Sequence, residues 1–269
     1  MQLEFGFLLG PPDGRYLIRL RGHERAEAVL VLTTLGAPER RRLGGRRARA
    51  LEEALAEPVP TARATVVRPD PFPSREAAEE WLGGLREDPA GLRAELDRAL
   101  ALLNRALRAQ RAATADPYLA EVSAARALVA RVGYGQGQSV ADGRYGEALE
   151  LPRATAARRS RRSMEAPEER FAALAGGREE PLVAEELVLR ARADLNAGRP
   201  REAALQARIA IEALLAELED QGVASHRESV RAAAAAALAP DAAPPPGGPE
   251  LEAAVASMEA ALRRHRLRG

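Results

Sequence analysis

Apolar residues recur at helical spacing through most of the chain, but the first seventy or so positions follow a different rule. Leu3 to Leu9 and Arg15 to Leu20 read as two short strands, with Pro11, Pro12, Asp13 and Gly14 supplying turn chemistry between them. Ala28 to Leu35, AVLVLTTL, reads as a third strand whose nearly unbroken apolar run implies burial on both faces. Ala62 to Arg68 is a fourth. These four strands predict a small sheet domain over residues 1–72.

From Ser74 the period changes to 3.6. Ser74 is placed to cap a helix carrying Ala77, Ala78, Trp81, Leu82 and Leu85, which Gly83 and Gly84 are expected to bend or end. Asp88 and Pro89 form a cap and first turn, followed by Leu92, Leu96, Leu100, Leu103 and Leu107 on one side of a helix. Asp116 and Pro117 repeat that device and predict a third helix with Tyr118, Leu119, Val122, Leu128, Val129 and Val132. Residues 73–150 therefore read as a helical segment, 151–165 as an arginine-rich linker and 166–269 as a helical bundle. The fold class expected is α+β, a small N-terminal sheet domain followed by a mainly α-helical domain.

Within the last segment Pro181 to Asp220 reads as a helical hairpin. Leu182, Leu187, Val188, Ala191 and Leu195 form a stripe that stops at Gly198, and Pro200 opens a second helix with Ala203, Ala207, Ala210, Ile211, Leu214 and Leu218. Ser225 and Glu228 predict a capping box for an alanine-rich helix toward Leu238. Leu251, Val255, Met258 and Leu262 share one face of a last helix. Gly198, Glu202, Ala203, Ala210 and Ile211 resemble the turn and second helix of one tetratricopeptide repeat, over about residues 182–218. The same hairpin is similar to the paired helices of HEPN domains, bundles that often dimerise. The ribonuclease members of that family carry an arginine followed closely by a histidine, a spacing that His23, His226 and His265 do not supply.

Composition narrows the chemistry. Apolar residues make up 46% of the 269 positions and aromatic ones only 3%, so the cores must be built from leucine, valine and alanine. The chain has no cysteine and all 40 of its basic residues are arginine, which removes thiolate, Schiff-base and phosphate-loop lysine chemistry. No HExxH or GxSxG motif occurs, so no catalytic residue, metal ligand or cofactor is assigned and the chain is read as non-catalytic rather than as an enzyme. No apolar run is long enough to span a bilayer, so no membrane partner is expected and a cytoplasmic location is.

Three functions are carried forward. The first is an interaction or scaffold protein that pairs with another protein or with itself through its helices. The second is binding to a nucleic-acid backbone through Arg40, Arg41, Arg42, Arg46 and Arg47 in the 40–49 cluster, with Arg158, Arg159, Arg161 and Arg162 in the 153–162 cluster. The third is a ligand sensor or enzyme using the loop GYGQGQSVAD, where Gly133, Gly135 and Gly137 permit close backbone approach and Tyr134 and Asp142 supply hydrogen bonds. A dinucleotide fingerprint follows a strand and opens a helix; here the run is expected to follow a helix, and Gln138 holds the last glycine position.

Overall fold

The structure is a computed structural model that describes residues 1–19, 24–36, 60–152, 167–239 and 248–266. The arginine clusters at 40–49 and 153–162 lie outside these residues. The chain divides into two compact units, Met1–Arg158 and Arg159–Gly269. It is α+β, with an antiparallel sheet in the first unit and helices throughout the second.

Among the described residues the sheet has six strands: β1 Gln2–Phe5, β2 Gly14–Ile18, β3 Ala28–Leu35, β4 Thr61–Val67, β5 Val129–Tyr134 and β6 Glu147–Glu150. Their order is β2-β3-β4-β1-β5-β6, every neighbour antiparallel. Side chains alternate faces along each strand. Leu3, Phe5, Leu30, Leu32, Ala62 and Ala64 meet the buried leucines of α2 (Pro89–Thr114) in one core, to which α1 (Arg75–Glu87) adds Leu82 and Leu85.

Several local expectations hold to the residue. Ser74 accepts a hydrogen bond from the Ala77 amide, and Asp88 caps α2 by accepting from the Ala90 amide. Others are corrected. Gly83 and Gly84 do not end α1, which runs on to Glu87, because Leu82 and Leu85 on either side are buried in the core and hold the turn. The helix expected after Asp116 does not form. Asp116 instead accepts from the Tyr118 amide in a turn, and β5 takes up the apolar residues Val129 and Val132. The physical reason is the edge of β1, whose backbone groups pair with β5 from Gln2 opposite Arg131 to Glu4 opposite Val129. The segment 73–150 thus contains two strands of the N-terminal sheet.

The second unit comprises α4 Pro167–Ala175, α5 Val183–Asn196, α6 Pro200–Leu218, α7 Gln221–Ala224, α8 Arg227–Leu238 and α9 Gly248–Arg266. The hairpin α5–α6 forms as expected, with Gly198 at a left-handed φ of 65° after α5. Ala203, Ala204, Ala207 and Ala210 on α6 are fully buried, which lets the neighbouring helices approach closely. Leu251, Val255, Met258 and Leu262 of α9 complete this core. The Ser225–Glu228 box does not form: the Ser225 hydroxyl donates to the Gly222 carbonyl, and α8 starts at Arg227. Among the described residues no helix is long and apolar enough to cross a membrane.

Candidate functional site

The glycine run lies at the end of the sheet where β4 and β5 finish. Contrary to the sequence expectation it begins within a strand, β5, rather than after a helix, and leads into the short helix α3, Gly137–Ala141. Gly133 is required for strand pairing, since a Cβ there would sit 2.4 Å from the Glu147 carbonyl oxygen and 2.7 Å from the Ala148 Cβ. The glycine at 133 therefore serves the close contact of β5 with β6 before it serves any ligand.

This end of the sheet opens into a cavity of about 880 Å³. Gly133, Tyr134, Gly135, Gln136, Gly137 and Ser139 form one wall. The opposite wall comes from the turn after β4 with Arg68 and Phe72, from Trp81 on α1, and from Glu95, Arg98 and Leu102 on α2. Tyr145 lines it as well. Four of the chain's nine aromatic residues, Phe72, Trp81, Tyr134 and Tyr145, thus face one space. In so aromatic-poor a chain that concentration is the least expected feature of the unit. Phe72 and Trp81 pack with ring centroids 5.1 Å apart at 44°, and the Arg68 guanidinium lies 5.5 Å from the Trp81 centroid.

The charges around the cavity are mostly neutralised. Arg68 pairs with Glu95 and Arg25 with Asp70, while Arg105 donates to Glu27 at 2.9 Å. Arg75 bonds Glu79 at 2.7 Å, which raises the pKa of that guanidinium. The Tyr134 hydroxyl is held above the usual phenol range by loss of water and then by the carboxylates of Glu79 and Glu147. Of the residues named from sequence, Gly133, Tyr134, Gly135 and Gly137 line the cavity. Asp142 is used elsewhere: its carboxylate accepts from Arg144 and Gln138, and its carbonyl from Arg63. Among the described residues no group of three or more His, Asp or Glu gathers as a metal site.

No family model matches the chain, and neither a curated protein nor a solved structure matches it. The geometry of the cavity therefore carries the functional argument. Sequence reasoning reached the glycine wall and missed the other. In the sequence Trp81 is one apolar position of a helix; Phe72 and Arg68, which pack on its ring, lie on the turn after β4 and Arg98 lies on a second helix, so only the folded sheet brings them to one space.

Tyr145 has a further property. Burial pushes its pKa up to about 12, against the opposing pull of Arg131 and Arg63, and among the described residues its buried hydroxyl has no hydrogen-bond partner. A desolvated hydroxyl with no partner costs free energy, so Tyr145→Phe is expected to leave stability unchanged or raise it by about 1 kcal/mol. Because the folded pKa lies above the ordinary value of 10.0, ionisation of this group opposes folding: it leaves stability unaffected below pH 10 and lowers it as the pH rises toward 12. Denaturant titrations of the wild type and Tyr145→Phe at pH 8 and pH 11 check both statements. A loss of more than 1 kcal/mol in the variant at pH 8 would show that the hydroxyl has a partner after all.

Proposed function

We propose that the chain is a non-catalytic binding protein whose first unit takes a small molecule in the cavity at the end of the sheet, and whose helical unit engages a protein partner or a second copy. The observation that carries the reading is the gathering of four of nine aromatic residues with the glycine run around about 880 Å³ of space. Binding is favoured over turnover because the cavity's carboxylates, Glu27, Asp70 and Glu95, are each held by an arginine. None is left as a ready general base. The interaction role of the second unit is supported by Val183 and Leu189 on α5 and Ile209 on α6, apolar side chains that stand exposed on its surface.

A ligand that binds only the folded state raises the unfolding temperature as its concentration rises. A thermal-shift screen of small molecules on the full chain should therefore find compounds that stabilise it in a dose-dependent way. Ser139 is exposed and lines the cavity, so Ser139→Phe should put a ring into the binding space and abolish the shift without lowering the unfolding temperature of the free protein. Stabilisation that survives Ser139→Phe undiminished would place the binding elsewhere.

A further inference from the structure

The pairing of charges around the cavity states the sign of what it binds. Resting on the ligand-binding reading above, we infer that the ligand is a flat aromatic anion, a carboxylate or phosphate on an aryl body, with Arg98 taking the anionic group.

The argument is one of elimination. A cationic ligand needs a free carboxylate or an unoccupied ring face, and Glu27, Asp70 and Glu95 already have arginine partners while Trp81 already carries the Arg68 guanidinium. Releasing one of them would strand a guanidinium. Three of the four cavity arginines are likewise engaged, Arg68 with Glu95, Arg75 with Glu79 and Arg144 with Asp142. Arg98 differs. It stands on α2 at the cavity wall, exposed, and among the described residues it makes no ion pair or side-chain hydrogen bond. Its planar fork is suited to two oxygens of a carboxylate or phosphate.

The body of the ligand follows from the walls. Trp81 presents its ring beside Phe72, and Tyr134 borders the same space. Flat faces of this kind match an aromatic plane better than a branched aliphatic chain. An aliphatic anion would use Arg98 and leave the rings unmatched. A neutral aromatic compound would use the rings and leave the guanidinium unmatched.

Isothermal titration of the full chain with biphenyl-4-carboxylate, biphenyl-4-carboxamide and biphenyl-4-methylammonium separates these terms. The carboxylate should bind about tenfold more tightly than the amide, the difference a charge-assisted bond supplies, and the ammonium weakest of all. Arg98→Gln should bring the ratio of carboxylate to amide below about threefold, and Arg98→Lys should keep most of it. Equal binding of acid and amide, or a ratio untouched by Arg98→Gln, overturns the assignment of an anion while leaving the cavity as a site. Preferential binding of the ammonium overturns it in the same way. Failure of all three compounds to bind overturns both the aromatic-anion inference and the ligand-binding reading beneath it.

Discussion

Leu103→Ala is expected to destabilise the first unit by about 3–5 kcal/mol. Leu103 is fully buried at the middle of α2, in the row Leu96, Leu100, Leu103 and Leu107 that shares a core with Leu3, Phe5 and Leu30. Removing its isobutyl group forfeits the transfer free energy of those carbons, and the cavity left adds a second cost because a helix packed on a sheet relaxes only in part. Trp81 is the only tryptophan of the chain and belongs to this unit, so its emission follows the unfolding of the unit selectively. Denaturant titration read at that wavelength should show the loss as a lower midpoint. The exposed Leu17 on β2 of the same unit is the comparison: Leu17→Ala should change stability by less than about 0.5 kcal/mol. A cost below about 1 kcal/mol at Leu103 would mean that α2 does not pack on the sheet as described.

The second large effect lies in the helical unit. The buried carboxylate of Glu185 on α5 accepts two hydrogen bonds from Arg170 of α4, at 2.8 and 2.9 Å, and one from Arg266 at the last turn of α9, at 3.1 Å. One acid thereby ties three helices together. Glu185→Ala leaves two guanidiniums facing one another without a counter-charge, a loss of the kind that costs about 3–5 kcal/mol when all partners are buried. Here the arginine side chains are 19% and 30% exposed and can turn toward water, which lowers the expectation to about 2–4 kcal/mol. Arg266→Ala should cost less, because Arg170 keeps its two bonds. Thermal unfolding followed by helical circular dichroism measures all of this, and a Glu185→Ala variant within about 1 kcal/mol of wild type would show that the three-helix tie contributes little.

What was legible in the sequence was what is decided locally. Ser74 and Asp88 cap helices with their own neighbours' amides, and Gly198 closes α5 with its own backbone. β3 was legible for a related reason: eight consecutive β-favouring or apolar residues leave no helical alternative. β5 was not, because the alanine-rich stretch AARALVARV suits a helix, and its latter part becomes a strand only by pairing with Gln2, Leu3 and Glu4 at the other end of the unit. That single misreading moved the boundary of the sheet domain and hid the context of the glycine run. The site followed the same rule. Gly133, Gly135 and Gly137 stand out as a pattern, whereas Trp81, Phe72 and Arg98 are ordinary residues until β4, α1 and α2 converge on one cavity.

The most direct measurement titrates the wild-type chain, reading Trp81 emission, with small molecules filtered from an extract of the cells that make it. A saturable change, abolished by Ser139→Phe and corresponding to one bound molecule per chain, is the result expected if the end of the sheet is a ligand site. Emission that stays flat at every concentration of extract would contradict that account.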